Sequence, residues 1–244
     1  MNSLLTITMI GTLTGIAGTG MGGLMALLWK NPGNKFMSII LGASGGLMLS
    51  VVTFDLLPEA FELGGIPTSI LGMMIGIFMT ALIDEMLPDF NNIAKGRGKY
   101  FKMGLLLAFG LALHNFPEGL AIGSGFTAGR NIGISLALVI GLHDIPEGMA
   151  VAAPMSMSGV NKIKIFIFTI ATAIPTGIGA FVGGILGEIS PVFVTLCLSF
   201  AGGTMLYIVC GDLIPKSRNL YEELLSTFGI LFGIIIGIII TSMA

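Results

Sequence analysis

Charge is scarce in this chain. Only 10% of its 244 residues are Asp, Glu, Lys or Arg, against about 25% in a soluble domain. That scarcity excludes a water-facing globular surface. With 54% hydrophobic residues and a mean hydropathy of +0.98, it marks an integral membrane protein. Cysteine is nearly absent: Cys197 and Cys210 lie in one apolar segment with no CxxC, which excludes a thiolate zinc site and a redox pair and leaves two small buried hydrophobes. No basic, aromatic-interleaved patch exists, so nucleic acid is not a partner. The N-terminus has no basic n-region and no clear cleavage site, so its long apolar stretch reads as a first membrane helix rather than a removable signal peptide. Hydrophilic stretches are all short, which leaves a single transmembrane domain over 1–244 and no room for a soluble one.

Histidine is as scarce as cysteine, and its placement is the main signal. The two histidines sit in two copies of one phrase, His114-Asn115-Phe116-Pro117-Glu118-Gly119 and His143-Asp144-Ile145-Pro146-Glu147-Gly148, both deep in apolar runs. Ionisable groups at membrane depth are costly and mark function.

A helix needs about 20 apolar residues to cross a bilayer core. Eight segments qualify, at about 4–29, 36–57, 68–88, 101–125, 132–155, 162–187, 192–215 and 221–243. They are separated by turn and charge clusters such as Asn31-Pro32-Gly33-Asn34, Gly64-Gly65-Ile66-Pro67, Lys95-Gly96-Arg97-Gly98-Lys99, Gly129-Arg130-Asn131, Ser190-Pro191 and Lys216 to Asn219. Alternate loops collect ten of the 11 basic residues: Lys30 and Lys35, then Lys95, Arg97, Lys99 and Lys102, then Lys162 and Lys164, then Lys216 and Arg218. Only Arg130 falls on the other side. The positive-inside rule makes those loops cytoplasmic and both termini external.

Residues 41–60 repeat at 198–217, at an offset of 157. The copies share Leu41/Leu198, Gly45/Gly202, Gly46/Gly203, Met48/Met205, Leu49/Leu206, Asp55/Asp212, Leu56/Leu213 and Pro58/Pro215. They lie on segments two and seven, which run in opposite directions. The histidine phrases repeat at an offset of 29 on segments four and five, also antiparallel. Inverted repeats around a midplane site are characteristic of secondary transporters. The expected architecture is therefore all-α, eight transmembrane helices in a 3+2+3 inverted-repeat arrangement.

Positions i and i+4 share a helix face. His114 pairs in this way with Glu118, and His143 with Glu147, so packing segments four and five together brings two imidazoles and two carboxylates into one place. Mixed N/O donors suit Zn²⁺ and related first-row cations. They fit neither Cu(I), which prefers thiolate, nor Mg²⁺ and Ca²⁺, which take oxygen alone. Two ionised glutamates balance one dication. Pro117 and Pro146 free the carbonyls of Leu113 and Leu142, and Gly119 and Gly148 permit close helix approach. Asn115 and Asp144 lie about 100° around from each histidine, where they complete the site after kinking, form an adjoining site, or orient the ligands. Asp55 near the outer end of segment two and Asp212 near the inner end of segment seven stand at the two mouths of a cation path, or else cap the breaks at Pro58 and Pro215. Asp84 and Glu85 at the inner end of segment three, and Asp89 just beyond, either receive an exiting cation or, the favoured reading, are exposed interface charges. The GxxxG spacings at Gly11/Gly15, Gly179/Gly183/Gly187 and Gly229/Gly233/Gly237 fit helix packing or a homodimer.

The two phrases resemble the signatures of the ZIP family of divalent-metal transporters, most closely its bacterial branch. The resemblance covers essentially the whole chain. It implies movement of Zn²⁺, and often Fe²⁺, Mn²⁺, Co²⁺ or Cd²⁺, into the cytoplasm as substrate, with no organic cofactor. It implies His114, Asn115, Glu118, His143, Asp144 and Glu147 as ligands, with Met48 from segment two and Asp55 at the outer entrance. It also implies an elevator-like motion of segments 1, 4, 5 and 6 against 2, 3, 7 and 8. Two departures stand out. Relatives with a paired-metal centre often carry Glu before the proline of segment six, where this chain has Ile174 before Pro175; one full site is the expectation. The loop after segment three has no His, which argues against metal sensing there. The competing function is an intramembrane metal-dependent hydrolase, since His and Glu can bind zinc and activate water. Against it stand the lack of HExxH and the inverted symmetry.

Overall fold

The computed structural model describes residues 3–28, 33–86, 98–221 and 223–243. Among them every regular element is helical: α1 (Leu4–Leu28), α2 (Asn34–Val51), α3 (Leu57–Met86), α4 (Gly98–Ala128), α5 (Arg130–Met157), α6 (Lys162–Ala171), α7 (Ile174–Ile189), α8 (Pro191–Ile208), α9 (Ile214–Leu220) and α10 (Glu223–Met243). Lys30, Lys95, Arg97 and Asp89 lie outside the described residues, as do most of the breaks at 31–34 and 95–99.

Apolar sequence of this length folds as helix because a helix satisfies its own backbone where water is excluded. Among the described residues, seven continuous helical stretches are long and apolar enough to cross a bilayer. One of them, Asn34–Ile83, has 50 residues. Straight, it would measure about 75 Å against a hydrocarbon core of about 30 Å. It is not straight: Gly65 leaves the helical region with φ 76° and ψ 164°. That left-handed φ costs a side-chain-bearing residue roughly 1–2 kcal/mol, so glycine belongs there, with Pro67 two residues on.

Two π-helical turns interrupt the helices, Val52–Leu56 between α2 and α3 and Val209–Leu213 between α8 and α9. Each precedes a proline. Pro58 and Pro215 have no N–H to give the carbonyl four residues back, and the ladder widens: the Leu57 amide reaches Val52 O and the Ile214 amide reaches Val209 O. Asp55 and Asp212 sit inside these turns. Pro215 is the second residue of α9, directly after the π-turn that accommodates it, and the helix resumes without a break. The chain consequently stays helical through Lys216 and Arg218, where the sequence pattern suggests a loop.

The sixth apolar stretch breaks at Thr172–Ala173, between α6 and α7. Pro175 removes one ladder bond, and the Thr176 amide bonds Ala173 O instead of continuing the α pattern. The Thr172 carbonyl is left free for another partner.

The helices pack in two groups. In one, α1 lies against α5 and α7, and α4 lies against α7 and α5. In the other, α2 lies against α10 and α3 against α8. Side-chain hydrogen bonds tie each group internally: Lys162 Nζ to Leu27 O at 2.9 Å in the first, and Ser38 Oγ to Ser217 O at 2.8 Å with Thr80 Oγ1 to Thr204 Oγ1 at 3.2 Å in the second. The groups meet where α4 touches α8 and α2 touches α5. All three GxxxG stretches are used inside the chain: Gly11 and Gly15 face α7, Gly179 and Gly183 face α4, and Gly229 and Gly233 face α2. Leu5, Phe78, Leu138, Ile163, Leu224 and Phe228 are each more than half exposed on the flanks. Apolar surface on that scale is stable against lipid and not against water.

Candidate metal centre

The site forms where the antiparallel helices α4 and α5 cross. Each keeps its helical course through its proline. Close approach on the far side of each helix comes from the glycine that ends its phrase. A Cβ on Gly119 would collide with the Thr176 carbonyl of α7, and one on Gly148 with the Thr19 carbonyl of α1.

The structure brings His114, Glu118, His143 and Glu147 together. One ligand atom from each lies within 4.8 Å of all the others. All four side chains are buried, at 0–3% exposure. His114 Nε2 is 3.2 Å from Glu118 Oε1 and 2.9 Å from Glu147 Oε2. His143 Nε2 touches Glu118 Oε1 and is 3.7 Å from Asp144 Oδ1. Four ligands at zinc bond lengths of about 2.0–2.1 Å in a tetrahedron sit about 3.3 Å apart. The cluster is therefore within a small side-chain adjustment of that geometry.

Several oxygens around it are buried without a hydrogen-bond donor: Glu118 Oε2, Asn115 Oδ1 and both carboxylate oxygens of Asp144. Orphaned buried acceptors cost roughly 1–3 kcal/mol each in a static interior. Acceptors in excess of donors are what a cation coordinates, so the donor set fits a divalent substrate. Asn115 is oriented by its other end, since Nδ2 donates to the freed Thr172 carbonyl at 2.7 Å. Ile174 is 53% exposed on the outside of α7, so it offers the centre nothing.

Met48 is fully buried on α2. One turn before it stands a residue that sequence reasoning missed: Ser44 Oγ donates to Glu147 Oε1 at 3.4 Å. It shares a helix face with Met48, and a hydroxyl in an apolar run was the available signal. This bond joins the two helix groups, unlike the interhelical bonds named above.

Asp212 and Asp55 differ in their relation to the cluster. A neck of about 30 Å³ is lined by His114, Glu147 and Asp212. It shares Gly110, Ile208 and Asp212 with a cavity of about 200 Å³ that also carries Lys216. That cavity in turn shares Leu106 and Lys216 with one of about 270 Å³ bordered by Lys102 and Asn219. Asp55, whose Oδ2 is buried without a partner, lines a cavity of about 190 Å³ with Glu59, Asn131 and Ser135. The Asp55 cavity has no lining residue in common with the chain of cavities that starts at the cluster. Glu85 is exposed, and the Asp84 side chain is outside what the structure describes.

The comparisons agree with this picture. Residues 91–241 match the family described as "ZIP Zinc transporter". "Zinc transporter ZupT" of Chlorobium phaeovibrioides is 35% identical over 253 residues, covering 95% of each chain. That of Chlorobaculum parvum is 33% identical with 94% of each chain covered, and that of Streptococcus mutans 30% identical with 90% of this chain and 91% of the relative covered. The chain belongs to the ZIP zinc transporter family, in its bacterial branch, and is a multi-pass protein of the cell membrane.

Proposed function

We propose that the chain imports Zn²⁺ into the cytoplasm by alternating access, binding it between α4 and α5. His114, Glu118, His143 and Glu147 are the first ligands, with Asn115, Asp144 and Met48 as further donors. Fe²⁺, Mn²⁺, Co²⁺ and Cd²⁺ have the same donor preferences and are plausible co-substrates. The observation that carries this reading is a buried His₂Glu₂ cluster which, among the described residues, lines a cavity that shares Asp212 with the cavities towards Lys216 and Lys102. Membership of a transporter family sets the hydrolase alternative aside.

The single domain has eight spans in this reading, with a reversal at Gly65 and both termini outside. Support comes from the direction of packing. Along α2 and α10 the contacts advance together, Gly42 with Ser226 and Gly46 with Ile230; along α3 and α8 they also advance together, Gly64 with Thr195 and Gly76 with Phe200. Two parallel pairs require the α2 part and the Gly64–Thr80 part to run oppositely, because α8 and α10 are successive passes. The 3+2+3 repeat is supported by contacts that recur at the 157 and 29 offsets. Gly22 meets Ile145 and Gly179 meets Phe116; Gly148 meets Thr19 and Gly119 meets Thr176; Gly76 meets Phe200 and Gly233 meets Ala43. The π-turns Val52–Leu56 and Val209–Leu213 obey the same offset. The cavities lead to Lys102 and Lys216, the basic and hence cytoplasmic side. This is the inward-facing arrangement of the cycle, and sliding of one helix group past the other supplies the outward-facing one.

The test is Zn²⁺ uptake into vesicles holding a trapped fluorescent chelator, comparing wild type with Glu147→Ala. Saturable flux that collapses in the variant is expected. A well-folded wild type that binds Zn²⁺ and moves none would overturn the proposal.

A further inference from the structure

The offset of 157 relates one more pair: Glu59 corresponds to Lys216. The two π-turns are thus one structural element used twice, with opposite charge one helical turn beyond the aspartate. Asp55 and Glu59 line one cavity together. Asp212 and Lys216 line another, and there the Lys216 ammonium donates to Asp212 Oδ2 at 2.7 Å.

The Asp212 mouth is the one joined to the central cluster. The neck between them is lined by His114 and Glu147 at one end and Asp212 at the other. A dication leaving His114 and Glu147 through that neck meets Asp212 as its next oxygen donor. The Asp212 and Lys216 side chains are 46% and 31% exposed, so solvent weakens the attraction, yet a bare carboxylate at that point still retains a dication longer than a neutralised one. Paired with an ammonium, the same carboxylate is neutral as a unit. Lysine suits this role because its compact charge rides on a flexible four-carbon stem and can swing aside and return. The acid–acid pair at Asp55 and Glu59 lacks this neutralisation.

We propose that Lys216 is the counter-charge of the exit. By pairing with Asp212 it keeps the inner mouth from becoming a second cation site, so that metal released from the centre leaves. It is a positioning residue: it touches Asp212, not the substrate. The proposal rests on the transport reading above. The difference between Glu59 and Lys216 also gives the two mouths of a near-symmetric protein unequal affinity for cations, which favours release on the lysine side.

A pair that merely supported α9 would affect stability and leave flux and metal content alone, so both are measured. The full chain is reconstituted as wild type, Lys216→Gln, Lys216→Arg and the double variant Asp212→Asn/Lys216→Gln. Maximal Zn²⁺ uptake, KM for external Zn²⁺ and equilibrium Zn²⁺ stoichiometry are read for each. Lys216→Gln is expected to bind one additional Zn²⁺ per chain and to lose about tenfold in maximal rate, with KM within about twofold of wild type. Lys216→Arg keeps both wild-type values, and the double variant loses the extra ion and recovers the rate. Should Lys216→Gln not fold, Lys216→Met is read in the same way. Wild-type stoichiometry and rate in the neutral variant, or a double variant as slow as the single one, would overturn the proposal. A wild type that moves no zinc in the same vesicles would instead count against the transport reading.

Discussion

Glu118 is the carboxylate that both imidazoles reach, so Glu118→Gln tests the proposed centre most directly. His114 Nε2 lies 3.2 Å from Glu118 Oε1, and His143 Nε2 touches the same atom. The substitution preserves size and removes one of two negative charges that offset a dication. Hydrogen bonds to charged groups are worth about 1.5–3 kcal/mol and neutral ones about 0.5–1.5, so demoting the one between His143 and Glu118 costs the metal-free site about 1–1.5 kcal/mol. Metal binding loses at least as much, because an amide oxygen is a weaker ligand than a carboxylate and leaves a net positive charge in a buried site. A loss of about 1.4 kcal/mol is about tenfold in Kd, the minimum expected. The assay is calorimetric Zn²⁺ titration of the purified chain in detergent. Glu62→Gln serves as control, since Glu62 is exposed and away from the cluster. Zinc binding by Glu118→Gln within about threefold of wild type, at unchanged stoichiometry, would refute the placement of Glu118 in the site.

Three further outcomes are expected. Gly119→Ala and Gly148→Ala each push a methyl into a neighbouring backbone carbonyl, and each lowers thermal stability in detergent by about 1–3 kcal/mol, to similar extents because the two contacts are images of one another. Unequal effects, one large and one absent, would count against that symmetry. Ser44→Ala removes the long hydrogen bond to Glu147 and raises the KM for Zn²⁺ uptake about two- to fivefold with little change in melting temperature; an unchanged KM would leave Ser44 a packing residue. In a chain freed of Cys197 and Cys210, Ser3→Cys and Ser242→Cys both react with a membrane-impermeant maleimide on intact cells, whereas labelling of one alone would mean an odd number of spans.

The cluster was readable from sequence because its spacing is local: His114 with Glu118 and His143 with Glu147 are i, i+4 pairs, and helix geometry alone puts each pair on one face. The break at Gly65 was equally visible, as a Gly-Gly-Ile-Pro run. What escaped depends on contacts distant in the chain. Ser44 meets Glu147 across 103 positions, and nothing in a Ser–Gly–Gly run announces that meeting. The π-turns escaped for a different reason: a proline in a helix predicts a disturbance without saying whether the ladder kinks or widens. Lys216 and Arg218 were misassigned to a loop because charge after a proline resembles a boundary, while Pro215 in fact opens α9. The proposed repeat accounts for paired contacts, from Gly22 and Gly179 to Thr19 and Thr176. Yet a strictly inverted repeat would present the same mouth to both sides and bind cations equally well from either. Any difference in affinity between the two mouths therefore has to come from positions where the copies differ. Ser44 has Ala201 as its image, Asn115 has Asp144, and Glu59 has Lys216. In the proposed cycle the first pair lets only one half of the repeat hold Glu147, the second varies the donors beside the proposed site, and the third changes the charge of the mouths.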